Sequence, residues 1–225
     1  MSIHDGHRRR IKERFLKYGL DTLQDHEVLE LLLCYSIPRG DVNPAAHRLI
    51  ERFGSLSAVF DAPPAELMKV EGVGKNTASL IKLLPHLFRR YAISHASFEN
   101  IITDTESAGR YILPRFYGLT EERICVLCMD AKGKVLSCEM MPPGSPNAAA
   151  VSVPHIVELA LVCRASNVIM AHNHTSGIAL PSVEDEQSTA AIAEALGAVG
   201  IRLMDHLVVA DGDFVSMADN GFFKR

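Results

Sequence analysis

The sequence predicts a two-part chain, with an all-helical domain over residues 1–95 and a mixed domain of α+β or α/β class over residues 103–225. Three observations carry this. As far as about residue 95, apolar residues recur at helical spacing between Gly and Pro stops. Beyond residue 120, short apolar runs alternate with helical runs, the pattern of sheet packed against helix. The charge also changes sign: residues 1–95 hold 14 Lys+Arg against 11 Asp+Glu, and residues 96–225 hold 9 against 16. That split, +3 against −7, points to two modules with different partners.

The elements follow in order. "HRRRIKERFLKYG" sets Ile11, Phe15 and Leu16 at helical spacing and stops at Gly19. "DHEVLELLLCYS" is a second helix, closed by Pro38 and Gly40. In "NPAAHRLIERFG", Asn43 reads as the cap, Pro44 as the first helical residue and Gly54 as the stop. "SLSAVFDA" is a short helix or turn, and "PPAELMKVEG" and "KNTASLIKLLPHLFRRY" form a helix pair around Gly72-Val73-Gly74. The weakly periodic "HASFENIIT" marks the boundary. After it, "DTESAGRYILPRF", "PHIVELALVCRA" and "SVEDEQSTAAIAEALGAVG" read as helices. "ERICVLCMD", "KVLSCEMM", "NVIMAH" and "HLVVA" read as strands, with a hairpin turn at "DGD" before "FVSM".

Composition narrows the function classes. A hydrophobic content of 48% and a charged content of 22% fit a packed core and argue against disorder. No apolar run approaches the ~20 residues that span a bilayer, and "MSIHDGHRRRIKERF" lacks the apolar centre of a signal peptide. The expectation is a cytoplasmic protein with no membrane partner. Five cysteines in apolar contexts do not make a disulfide framework. Cys125 and Cys128 form a C-x2-C, but three-residue spacing on a strand sends them to opposite faces, which argues against a cysteine zinc site.

The chemistry concentrates in "AHNHTSGIALPSVEDEQ". His172 and His174 are two residues apart at the end of an apolar strand, so both imidazoles face one side. Gly177 and Pro181 let the following loop fold Asp185 back towards them. Two imidazoles, one carboxylate and a water make an open tetrahedral site of the catalytic zinc type. The same residues allow a plainer reading. Ser182 to Asp185 fits a capping box, in which Asp185 only starts a helix and the histidines belong to a turn. The order H-N-H is not an HNH nuclease signature, whose residues spread over a longer ββα element.

"HNHTSGIALPSVED" resembles the JAMM (MPN+) metalloprotease motif H-x-H-x7-S-x2-D, with Thr175 to Pro181 filling the gap. More narrowly it resembles the RadC family, and the likeness extends to the N-terminal "GHRRRIKERFLKYGLDTLQDHEVLELLLCYSIPRGDVNPAAHRLIERFGS" and to "LMDHLVVADG". The resemblance implies one zinc ion held by His172, His174 and Asp185. It implies that Ser182 donates a hydrogen bond to the substrate oxyanion or to the attacking water. It also implies a glutamate general base at a strand start, best matched by Glu122, with Glu139 as runner-up and Glu121 a near neighbour. The implied reaction is hydrolysis of a peptide or isopeptide bond, by water that zinc activates.

This chain departs from the family pattern at three places. Thr175 stands where a proline usually follows the second histidine, His155 stands in the place of an arginine, and Gly144-Ser145 replaces a G-T pair. Asp205-His206 offers either support behind the site or a structural strand end.

Gly72-Val73-Gly74 with Ala78 resembles the helix-hairpin-helix pattern G-h-G-x3-A. The resemblance implies DNA contact, with backbone N–H groups at Gly72, Gly74 and Lys75 holding a phosphate and Lys75 and Lys82 adding charge. A helical hairpin that serves packing alone fits the same residues, and a balance of +3 supports only weak, sequence-independent binding. Three functions therefore stand at the level of sequence: a zinc hydrolase of the JAMM type, a non-catalytic DNA-associated protein with a structural zinc, and a non-haem iron oxygenase, which the motif spacing disfavours.

Overall fold

The computed structural model describes residues 3–96, 101–142 and 153–222. Gly144 and Ser145, and the centre of the expected boundary segment at 97–100, lie outside the described residues. The chain divides into two compact units, Met1–Leu87 and Phe88–Arg225.

The first unit is helical: α1 (Ile3–Tyr18), α2 (Asp25–Ser36), α3 (Asn43–Phe53), α4 (Leu56–Asp61), α5 (Pro64–Leu67) and the start of α6 (Lys75–Ala96). Each stop has a local cause. Gly19 and Gly54 take positive φ and close α1 and α3 through their N–H groups onto Phe15 and Ile50. Ser55 caps α4 by accepting from the Ala58 N–H at 3.2 Å. Two expectations are corrected. Asn43 is the first helical residue, and Val42 holds the cap position without a capping side chain. The Asn43 amide instead donates to Glu30 at 3.1 Å, a buried carboxylate that needs partners more than the helix end does. On α1, Ile11 is buried and Phe15 half-buried, but Leu16 is exposed, so the apolar stripe is narrower than its spacing suggests. The core packs Leu29 and Leu33 of α2 against Leu49 of α3, Leu67 of α5 and Ile81 of α6.

The second unit opens with α7 (Thr105–Ile112), capped by Asp104, and a 3-10 turn over Leu113–Phe116. Its strands are β1 (Ile124–Met129), β2 (Val135–Met140), β3 (Asn167–Asn173), β4 (Arg202–Ala210) and β5 (Asp213–Ser216). They form one sheet in the order β2-β1-β3-β4-β5. Only β3 and β4 pair in parallel, and the connection between them contains α9 (Val183–Ala198). The unit is thus mixed α/β.

Both sheet faces are covered. Cys125, Leu127, Ile169, Ala171 and Leu207 pack with Tyr111 and Ile112 of α7. On the other face Val126, Cys128, Val168 and Met170 pack with Ile156 and Ala160 of α8 (Val153–Val162) and with Ile192 and Leu196 of α9. Burial on both faces explains why β1 and β3 read as continuous apolar runs. Cys125 and Cys128 fall in opposite cores, as strand alternation requires. The β4–β5 hairpin turns on Asp211 and Gly212, with φ of 48° and 82°, the two positive values a type I′ turn demands. Among the described residues, no helix is long and apolar enough to cross a membrane.

Candidate metal centre

The sheet ends where the chemistry begins. His172 is the penultimate residue of β3, opposite Ile124 of β1 and Val208 of β4. His174 lies one residue past the strand, yet its N–H still donates to the Val209 carbonyl at 2.8 Å. Extended backbone therefore continues through both residues, and their rings share a face. His172 Nε2 and His174 Nε2 are 2.8 Å apart.

Asp185 closes the triangle from the first turn of α9. Its Oδ1 is 3.1 Å from His172 Nε2, and its Oδ2 is 3.3 Å from His174 Nε2. The capping box forms as well. Ser182 Oγ accepts from the Asp185 N–H at 3.1 Å, while Asp185 Oδ2 accepts from the Ser182 N–H at 2.8 Å and from its hydroxyl at 2.7 Å. The two readings of Asp185 in the sequence are thus one arrangement: the cap aims the carboxylate at the histidines. Among the described residues, His172, His174 and Asp185 form the one group of three that could hold a metal ion.

Electrostatics follow from the contacts. Burial pushes the Asp185 carboxyl up, but the His172 ring and the Ser182 N–H and hydroxyl together outweigh it and hold the group well below the usual carboxylate range. Behind His172, Nδ1 meets His206 Nε2 at 2.8 Å. Burial, with the neighbouring His172 ring, lowers the His206 pKa to about 3. Asp205, its neighbour in sequence, turns to other work, accepting from the His206 and Ala218 N–H groups and from the Ser216 hydroxyl. Neither residue is a strand end, since β4 starts at Arg202: Asp205 is tied to β4, β5 and the turn beyond, and His206 faces His172.

Glu122 is exposed and precedes β1. Its segment is fastened to β3 by Asn173, the residue between the histidines. Asn173 Oδ1 accepts from the Arg123 N–H at 2.7 Å, and Asn173 Nδ2 donates to the Glu121 carbonyl at 3.1 Å. Ile124 stands opposite His172, so the antiparallel register continued by two residues sets Glu122 opposite His174. Glu139 is exposed on β2 opposite Val126, and its Oε1 accepts from Ser137. His155 is exposed on the first turn of α8.

At the other candidate site, Gly72 has φ of +90°, and a Cβ there would meet the Ala45 Cβ at 3.2 Å. Arg48 braces the turn by donating to the Glu71 carbonyl. Gly74 and Lys75 are exposed where α6 starts. Lys82 does not join them, because its ammonium donates to the Phe60 and Asp61 carbonyls at the end of α4. The unfilled carbonyls of a helix C-terminus attract that charge.

The residues that sequence reasoning left without a role are Asn173 and Thr189. Thr189 carries a readable signal, since it lies one helical turn beyond Asp185 and so shares its face.

The chain matches the family described as "RadC-like JAB domain" over residues 102–222, and residues 6–79 match "UPF0758 N-terminal". A "UPF0758 protein" of Bacillus pumilus (strain SAFR-032) is 34% identical over 221 residues, covering 97% of this chain and 98% of the relative. A "UPF0758 protein" of Rhodobacter capsulatus is 34% identical over 211 residues, 94% of this chain and 99% of the relative. Another, from Xylella fastidiosa (strain Temecula1), is 33% identical over 213 residues, 95% of each. The chain belongs to the RadC (UPF0758) family.

Proposed function

We propose that this chain is a zinc-dependent hydrolase of the JAMM type, acting on a peptide or isopeptide bond in a peptide or protein substrate. The observation that carries the proposal is the triangle of donor atoms. Bonds of about 2.0–2.1 Å to a tetrahedral ion put neighbouring donors about 3.3 Å apart. The two Nε2 atoms are 2.8 Å apart, and the Asp185 carboxylate faces His172 with Oδ1 at 3.1 Å and His174 with Oδ2 at 3.3 Å, so one oxygen from it and the two imidazoles can surround a single ion of this size. Two imidazoles and a carboxylate suit zinc, and among the described residues the group has three ligands rather than four, which leaves a position open as in catalytic sites. That open position separates this reading from a structural zinc in a non-catalytic DNA-associated protein.

Zinc bound there would supply Lewis acidity, acidifying water to a pKa near 7 and polarising the scissile carbonyl. The remaining work falls to the chain. Ser182 holds the Asp185 carboxylate through its hydroxyl and N–H, and the hydroxyl can turn to donate to the substrate oxyanion. Glu122 takes a proton on its carboxylate and returns it to the leaving nitrogen. Strand spacings favour Glu122 over Glu139. The register puts its Cα roughly 8 Å from that of His172, against roughly 12 Å for Glu139, which lies two strands away.

We assign the N-terminal hairpin at Gly72, Gly74 and Lys75 to weak DNA contact, on its positive-φ turn and exposed lysine.

The test of the hydrolase is a peptide-library digestion by the full chain, with and without chelator, followed by the same digestion with Glu122→Gln and Glu139→Gln. Loss of a general base costs about 10²–10⁴ in rate. Cleavage that ignores the chelator, or equal turnover in the parent and Glu122→Gln, refutes the assignment.

A further inference from the structure

Two buried side chains from different elements stand behind His172. His206 of β4 is 2% exposed and Thr189 of α9 is fully buried. His172 Nδ1 is 2.8 Å from His206 Nε2, and His206 Nδ1 is 2.6 Å from Thr189 Oγ1. Thr189 Oγ1 is in turn 2.6 Å from the Asp185 carbonyl oxygen. The chain of contacts starts at one candidate ligand and ends on the backbone of another.

Each hydrogen in this chain has one place to go. The Asp185 carbonyl can only accept, so the single hydroxyl hydrogen of Thr189 points to it. The Met217 sulfur at 3.7 Å is too weak an acceptor to compete. Thr189 Oγ1 then has only lone pairs to offer, and His206 Nδ1 must carry the hydrogen between them. His206 is buried and neither of its ring nitrogens faces a carboxylate that would hold a second proton, so with Nδ1 donating its Nε2 is an acceptor. His172 Nδ1 must therefore donate, and His172 Nε2 is left as a bare lone pair. A separate contact gives the same result for His174, whose Nδ1 faces the Ile178 carbonyl at 3.1 Å and must donate to it.

We propose that His206 and Thr189 are positioning residues for the metal: they fix His172 in the Nδ1–H tautomer and tie its ring to the backbone that carries Asp185. The proposal rests on the metal reading of His172, His174 and Asp185 given above. Its consequence is a cluster built from acceptors alone. Two imidazole lone pairs and a carboxylate converge within 3.3 Å, an arrangement that repels itself unless a cation sits between them. The relay also links β3, β4 and α9 across the sheet and its covering helix, so ligands from separate elements arrive pre-oriented.

The test uses the full chain and Zn²⁺ alone, with affinity read by competition against a chromophoric chelator. Thr189→Val keeps the shape and removes the hydroxyl, whereas Thr189→Ser keeps the hydroxyl. Thr189→Val is expected to bind zinc about 10–100-fold more weakly, and Thr189→Ser to bind like the parent. A second readout is the ¹⁵N shift of the His172 ring nitrogens in metal-free protein, expected to show hydrogen on Nδ1 in the parent and in Thr189→Ser. Parent-like affinity in Thr189→Val overturns the proposal, as does equal weakening by valine and serine, which would mark a packing role. Should Thr189→Val not fold, the parent tautomer decides: hydrogen on His172 Nε2 overturns the relay. A parent that binds no zinc defeats the metal reading itself, and the ring shifts still test the relay separately.

Discussion

Replacing Ser182 with alanine removes two things at once, and they can be measured apart. The hydroxyl accepts from the Asp185 N–H at 3.1 Å, so it is the N-cap of α9. Loss of such a cap costs about 1 kcal/mol, within a range of roughly 0.5–2. For a chain of this size that is a fall of about 2–4 °C in Tm per kcal/mol. The hydroxyl also donates to Asp185 Oδ2 at 2.7 Å and helps aim the carboxylate. Removing a partner of this kind from a ligand weakens metal affinity about 10–100-fold, equivalent to about 1.4–2.7 kcal/mol. Glycine separates the effects, since Ser→Gly at a cap costs only a few tenths of a kcal/mol while the lost hydroxyl is the same. Thermal melts in excess chelator read the cap, and zinc competition reads the ligand. The expected pattern is a lower Tm in Ser182→Ala, a near-parental Tm in Ser182→Gly, and weaker zinc binding in both. Parental zinc affinity in both variants would show that Ser182 is a cap and nothing more.

Three other predictions follow from particular contacts. A Cβ at Gly109 would lie 2.1 Å from the Phe214 ring, so Gly109→Ala should cost about 1–3 kcal/mol by overpacking, read by urea unfolding; an unchanged midpoint contradicts that packing. His206 has a depressed pKa in the fold, so the unfolded chain binds its proton first as pH falls. Stability should be full above pH ~6.5 and decline below it, by at most about 1.4 kcal/mol per pH unit from this group, in metal-free protein. His206→Gln should flatten the slope between about pH 6.5 and 5; an unchanged slope contradicts the assignment. For the N-terminal hairpin, weak DNA binding at low salt should fall steeply as salt rises and drop further in Lys75→Glu, and absence of binding at low salt leaves the hairpin a packing role.

Much of the site was legible because it obeys local periods. His172 and His174 share a face by the two-residue alternation of a strand, and Ser182 and Asp185 meet by the three-residue spacing of a capping box. The two readings of Asp185 looked exclusive in sequence because spacing shows neither which oxygen is used nor where the loop leads. What escaped were contacts set by the tertiary fold. Asn173 brackets Glu122 from 50 residues away, His206 reaches His172 across 34, and Lys82 was drawn from the hairpin to the end of α4. Strand β4 begins at Arg202, four residues ahead of the apolar run that announced it. The added residues include Asp205, buried and fully engaged in a strand where a polar side chain ordinarily marks an end. Likewise only Pro64–Leu67 of "PPAELMKVEG" is helical, since the chain must turn before Gly72 reaches its positive φ.

Metal content of the purified chain bears most directly on the account. Elemental analysis after dialysis against trace zinc should find one zinc per chain in the parent and in Glu122→Gln, which leaves all three ligands in place. Asp185→Ala, which removes one corner of the triangle and its negative charge, should retain little. A parent without bound metal, or an Asp185→Ala protein that holds as much zinc as the parent, would contradict the metal centre.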